Sequence, residues 1–161
     1  MSITYQDIQF QNQTIQRKYQ ERQALLREKA QKLVCEYIGS LSLPADSWLD
    51  RNGHKRSYVS VGELNAQGLF QKMPFAAFEL NDSLALSFKI STIINDSHLD
   101  GGDYYLLSVS MWYESGRLHV QVGKDGKVII VAAPDEDGAF YEVCSSLKQI
   151  LMSGFVDPRL D

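Results

Sequence analysis

The sequence predicts an α+β fold: a mainly antiparallel, meander-like six-stranded sheet with a long N-terminal helix and a C-terminal helix packed on it. Three observations carry this expectation. Residues 7–38 hold no Pro or Gly and repeat apolar side chains at helical spacing. Residues 57–132 divide into six short strand-like runs separated by turn signals. Residues 135–153 return to helical spacing. A run of strands bracketed by helices and joined by short connections implies an antiparallel sheet, here within a single domain over 1–161.

In the first element Ile8, Ile15, Tyr19, Leu26, Leu33, Val34, Tyr37 and Ile38 recur at spacings of three, four and seven, and Gly39 follows as an expected C-terminal stop. A helix over 7–38 is about 48 Å long. A chain of 161 residues packs to a radius of gyration of only about 15 Å. The helix must therefore overrun the core unless it breaks near residues 11–14. Its overhanging half, QDIQFQNQTIQRKYQERQ, is Gln-rich with a thin stripe of Ile8, Asn12, Ile15 and Tyr19. That half is either a solvated helix end or a face that pairs with a partner or a second copy. As a coiled-coil seam the stripe stops at Arg22 and Lys29.

Pro44, Asn52 and Gly53 mark loop and turn before the sheet. The strand candidates are 57–63, 74–80, 84–93, 104–114, 117–122 and 127–132, with Asn81-Asp82 as a short turn between the second and third. In the third, Leu84, Leu86, Phe88 and Ile90 alternate with Ala85, Ser87, Lys89 and Ser91, the pattern of a half-buried strand. The sequence ESGR predicts a two-residue Ser115-Gly116 turn with Glu114 facing Arg117. Tyr113 then faces Leu118, Trp112 faces His119, Met111 faces Val120 and Ser110 faces Gln121. The sequence KDGK predicts a type I′ turn at Asp125-Gly126, placing Val122 opposite Ile129 and Val120 opposite Val131. Both turns assign Val109, Met111, Tyr113, Leu118, Val120, Val122, Ile129 and Val131 to one apolar face. The last helix is expected to be capped by Asp135 or Asp137, to bury Phe140, Val143, Cys144, Leu147, Ile150 and Leu151, and to end at Gly154.

Composition is ordinary for a globular domain, 44% apolar and 22% charged. Net charge is −4, divided as +3 over residues 1–60 and −7 over 61–161, an asymmetry that bears on steering of partners more than on fold. Cys35 and Cys144 read as reduced, buried apolar residues. No signal peptide or membrane span is evident in the sequence, so a cytoplasmic location is expected.

The segment NDSHLDGGDYY, residues 95–105, is the most site-like. As a calcium loop it would use Asp96, His98 and Asp100, but Leu107 stands where a bidentate Glu is needed. As a zinc or iron site it would need His54 and His119 to converge on it. As a turn it needs only Gly101-Gly102 and local hydrogen bonds from Asp and Asn. No G-x-S-x-G, phosphate loop, H-E-x-x-H or C-x-x-C is present. The basic NGHKRS turn, with His54, Lys55 and Arg56, offers a minor phosphate-binding reading. Arg17, Lys18, Arg22, Arg27, Lys29 and Lys32 line the first helix, but Glu21, Glu28 and Glu36 are interspersed and the chain is acidic, so nucleic-acid binding is not expected.

If Met111 and Val120 face the core, then Tyr104, Ser108, Ser110, Trp112, His119, Gln121, Val128 and Ile130 face away. That mixture of aromatic, β-branched and small polar residues is typical of protein interfaces, unless one of the two helices covers it. The expected function is non-enzymatic binding of another protein, as an inhibitor, immunity-type or adaptor protein, with no cofactor and no metal. Tyr104, Trp112, His119, Gln121 and Ile130 are the candidate contacts on the sheet, and Ile8, Ile15 and Tyr19 those on the helix, which could also join two copies. The alternatives are an enzyme or ligand-binding domain using Asp96, His98, Asp100 and Asp103, and a nucleic-acid regulator acting through the basic helix.

Overall fold

The computed structural model describes residues 1–124 and 126–160. Its first element, α1 (Tyr5–Ser40), is one uninterrupted helix of 36 residues, about 54 Å long. Thr4 caps it in a capping box: the Asp7 amide donates to Thr4 Oγ1 at 3.2 Å, and the Thr4 amide donates to Asp7 Oδ2 at 2.9 Å. There is no break near 11–14, and Gly39 does not stop the helix. Gly39 lies inside it, and Leu41 is the C-cap with αR backbone angles. The burial is one-ended. Gln23, Leu26, Lys29, Ala30, Leu33, Val34 and Tyr37 are buried, while no residue before Gln23 is.

A two-stranded ribbon follows, β1 (Trp48–Leu49) with β2 (Lys55–Arg56). The main sheet comprises β3 (Val59–Leu64), β4 (Phe70–Lys72), β5 (Leu86–Ile93), β6 (Tyr104–Glu114), β7 (Arg117–Val122) and β8 (Val128–Val131). Its order is β4-β3-β5-β6-β7-β8 and every pair is antiparallel. The meander expected from the sequence therefore holds from β5 to β8. At the other edge β4 folds back outside β3, so β3 lies between β4 and β5. Gly62 permits that return: a side chain there would collide with the Gln71 carbonyl.

The expected strand at 74–80 is absent. Phe75–Ala77 forms one 3₁₀ turn, and the chain beyond it is irregular. Polar side chains of α1 supply the partners a strand ladder would otherwise give. Gln23 Oε1 accepts from the Leu80 amide at 3.2 Å. Arg27 Nε donates to the Phe78 carbonyl at 2.7 Å, and the Tyr19 hydroxyl donates to the Leu80 carbonyl at 3.2 Å. Asn81 then turns the chain, its Oδ1 accepting from the Ser83 and Ala85 amides.

The β6–β7 pairing is the one expected, from Glu114↔Arg117 back to Ser110↔Gln121. Ser115 and Gly116 both have positive φ, 52° and 75°, as the two-residue turn requires. The β7–β8 pairing is displaced by two residues from expectation: Val120 faces Ile129 and Leu118 faces Val131. The Val122 amide bonds to the Lys127 carbonyl at 3.1 Å, so the connection is longer than two residues. The Asp125 half of the expected turn lies outside the described residues. A shift of two preserves side-chain parity, so Ile129 and Val131 still point into the core.

Both helices lie on the same face of the sheet. Leu26, Ala30, Leu33, Val34 and Tyr37 of α1, with Val143, Cys144 and Leu147 of α2 (Tyr141–Ser153), join one cluster with Leu86, Phe88, Ile90, Leu107, Val109, Met111, Leu118, Val120, Val122, Ile129 and Val131. α2 starts later than expected, and its N-cap position is Phe140, without a side-chain cap; neither Asp135 nor Asp137 caps it. Asp135 is drawn instead to the ammonium of Lys29, and Lys32 donates to the carbonyls of Pro134 and Glu136. Cys144 is buried as expected, but Cys35 is exposed. Burial pushes the Cys144 thiol up to about 11, so it stays protonated and unreactive at neutral pH.

The Lys29–Asp135 pair joins α1 to the β8–α2 connection. The hydrogen bond from Lys29 holds the Asp135 carboxyl below its ordinary value, and the same bond raises Lys29. A carboxyl depressed on folding contributes stability above its unfolded value of about 3.9, and that contribution is lost as pH falls through the folded value. Asp135→Asn is therefore expected to be less stable than the parent at neutral pH, with the gap closing as pH drops below about 4. Urea midpoints of both proteins across that range are the check. A gap unchanged by acidification would assign the loss to packing instead.

Candidate functional site

Strand alternation places a second set of side chains on the face opposite the helices. Tyr104, Leu106, Ser108, Ser110 and Trp112 of β6 flank Ser87, Lys89 and Ser91 of β5 on one side. On the other they flank His119 and Gln121 of β7, then Val128 and Ile130 of β8. No helix covers this face among the described residues. Tyr104, Val128 and Ile130 remain 49%, 45% and 48% exposed, values high for large apolar side chains on a sheet. Trp112, His119 and Gln121 are half-buried. The sequence-predicted sheet contacts are therefore brought onto one surface. Trp112↔His119↔Ile130 form one row across three strands, and Ser110↔Gln121↔Val128 form the next. Tyr104 stands apart, at the opposite end of β6 from Trp112, with the Phe70 ring of β4 6.4 Å away.

The Trp112 and His119 rings stack at 5.7 Å with 20° between their planes. Nδ1 of His119 lies 3.0 Å from the Arg117 carbonyl, within reach of a hydrogen bond that the carbonyl accepts. Nε2 of the same ring lies 3.8 Å from a Glu114 carboxylate oxygen. Between the two aromatic ends the face turns polar. Lys89 Nζ donates to Ser108 Oγ at 2.5 Å, and the hydroxyls of Ser87 and Ser110 meet at 2.9 Å. The result is a surface with apolar, aromatic-bearing ends and a hydroxyl-rich middle. Leu106, Ser87 and Lys89 were not among the candidates drawn from the sequence. The alternation of residues 84–93 and the even-numbered parity of Tyr104 and Trp112 were the signals that could have included them.

The second candidate surface is the overhang of α1. Ile8 and Ile15 are 59% and 56% exposed, with Tyr5 and Phe10 more so. Tyr19 sits apart from them. It is half-buried, packs on the core and donates to the Leu80 carbonyl, so it marks where the helix meets the body.

The segment at 95–105 is held by its own hydrogen bonds. Asn95 Oδ1 accepts from the Ser97 amide at 3.1 Å, the Gly102 amide donates to the Asn95 carbonyl at 2.8 Å, and Asn95 Nδ2 reaches Asp103 Oδ2 at 3.3 Å. Asp96 accepts a 2.5 Å bond from the Tyr58 hydroxyl, which raises the Tyr58 phenol above its ordinary value. His98 and Asp100 point to solvent. Among the described residues no three His, Cys, Asp or Glu side chains come together as metal ligands. In the NGHKRS turn Asp50 takes Arg56 Nε at 2.8 Å and the amides of Asn52 and His54, and Arg56 holds its carboxyl below the usual range. Of the six cations on α1, five have contacts within the chain. Arg17 pairs with Glu21, Arg22 lies 5.5 Å over the Tyr113 ring, and Arg27, Lys29 and Lys32 bind the body as described.

No helix among the described residues is long and apolar enough to cross a membrane. Comparison of the chain with protein-family models, with curated proteins and with solved structures finds no match in any of the three.

Proposed function

We propose that this chain is a non-enzymatic protein-binding domain, of the inhibitor, immunity or adaptor kind, that docks a partner protein on the bare face of its sheet. The observation that carries this reading is the placement of both helices on one face, which leaves Trp112, His119, Gln121, Ile130 and Tyr104 on the other. Rigid aromatic and apolar anchors beside satisfied small polar groups are the composition of a binding surface. The Asp96 and Asp103 carboxylates already serve Tyr58 and Asn95, and five helix cations are engaged within the chain, which favours a protein partner over either alternative.

The test is capture from the native host by the parent and by Ile130→Asp, followed by hydrogen exchange of the complex. Ile130 is 48% exposed, so the variant should keep the parent melting temperature. It should lose capture by at least about 100-fold, and the partner should protect β6, β7 and β8. Equal capture by the variant, or protection confined to the 95–103 loop, would overturn the proposal.

Exposure of Ile8 and Ile15 favours a second reading alongside the first, self-association through α1. It uses a separate surface and does not compete with the sheet face.

A further inference from the structure

We infer that the partner docked on the bare sheet face is acidic where it meets the middle of the sheet, and seats an Asp or Glu side chain on Lys89 in a trough there. The inference rests on the docking reading and specifies the partner's chemistry. The trough follows from the register. Gly62, Lys89 and Ser108 stand in one row across β3, β5 and β6, and beyond them the Gly123 amide donates to the Ser108 carbonyl at 2.8 Å. Residues paired across a sheet point to the same side. This row therefore offers little but glycine and serine around Lys89, whereas the ends of β6 carry Tyr104 and Trp112. The depression has a volume of about 420 Å³, and Ser87, Ser108 and Ser110 line it beside Lys89.

Charge selects the occupant. Lys89 is half-buried, and its ammonium is held by the Ser108 hydroxyl at 2.5 Å. Lys72 of β4 pairs with Gly62, so it stands in the same row on the same side, two strand spacings or about 10 Å from Lys89. Lys124 lies at the rim. Among the described residues neither Lys72 nor Lys89 has a carboxylate within 4.0 Å. Glu63 is the one acidic residue at the edge of the trough. It shares the parity of the core residue Val61, so strand alternation turns its side chain toward the helix-covered side. The trough is thus locally cationic in a chain whose net charge is −4. A carboxylate on Lys89 would make a charge-assisted hydrogen bond, with serine hydroxyls at hand to donate to its second oxygen. An apolar or basic partner surface would instead bury the ammonium without a counter-ion.

The purified full chain, screened with a random peptide library, should enrich peptides bearing Asp or Glu, and these should bind more weakly as salt is raised. Lys89→Gln removes the charge and keeps a polar end; it should weaken the enriched peptides by at least about 10-fold. Lys72→Glu lies at an exposed position. It should weaken them by a similar factor with the melting temperature unchanged, which separates lost binding from lost folding. No excess of Asp or Glu among the enriched peptides, or equal binding by both variants, overturns the inference. So does a single-stranded DNA that the parent binds more tightly than the selected peptides, which would make the trough a nucleic-acid site. In the complex captured from the native host, protection of β6, β7 and β8 with full capture by Lys89→Gln removes the acidic contact and leaves the docking surface standing. Protection elsewhere on the chain removes both.

Discussion

Phe78→Ala should cost about 3–5 kcal/mol of stability, the largest loss expected from any single substitution considered for this chain. Phe78 is fully buried, although it stands in irregular chain rather than in a strand or helix. Its ring meets Phe75 edge-on at 6.0 Å and Phe88 at 5.5 Å, and aromatic pairs add about 0.5–1.5 kcal/mol beyond area burial. Its carbonyl accepts from Arg27 of α1, so the residue ties the helix to the sheet from both its side chain and its backbone. Removing the ring leaves a cavity beneath α1 at a point where no ladder hydrogen bonds hold the chain. For a chain of this size the loss corresponds to roughly 8–16 °C in melting temperature. The urea midpoint should fall with the slope unchanged. A loss below about 1.5 kcal/mol would mean that residues 75–80 collapse into the space, and that they are not the clamp described.

The second large effect is expected at Tyr37 and Thr92. Their hydroxyls meet at 2.7 Å in the core, Tyr37 fully buried and Thr92 6% exposed. Burial raises the Tyr37 phenol above its ordinary value, so it remains a neutral hydrogen-bonding group across physiological pH. Tyr37→Phe leaves the Thr92 hydroxyl without this partner, and Thr92→Val does the same to Tyr37. Each should cost about 1–3 kcal/mol, because a buried polar group loses its partner. The double substitution removes both polar groups while keeping shape, and should be less destabilised than the sum of the singles by about 1–2 kcal/mol. Denaturant unfolding of the four proteins in the cycle measures that coupling. Strict additivity would show that the pair contributes nothing through its bond.

The parts of this fold legible in the sequence are those whose information is local. The Ser115-Gly116 turn fixes β6 against β7 to the residue, because a two-residue turn with positive φ admits one register. Alternation along β5 and β6 separates the two faces for the same reason. The 74–80 segment looks like a strand in the sequence but is not one, because its bonding groups come from Gln23, Arg27 and Tyr19, more than fifty residues away. The start of α2 does not follow from the local sequence because Lys29 competes for Asp135, another long-range contact. β4 is only three residues long, too short to show a period. For the candidate face, membership was legible from parity, but its exposure was not. An amphipathic stripe states which side of a helix is buried, and says nothing about which side of the sheet buries it.

One consequence of the one-sided helix layer concerns change over generations. Along β6 the residues at odd positions 107, 109 and 111 lie in the core, while their even-numbered neighbours stand outside it. A substitution at 104, 110 or 112 alters what the protein presents without disturbing what holds it together. On the proposed docking role, changes in recognition and constraint on folding would fall on alternate residues of the same strand.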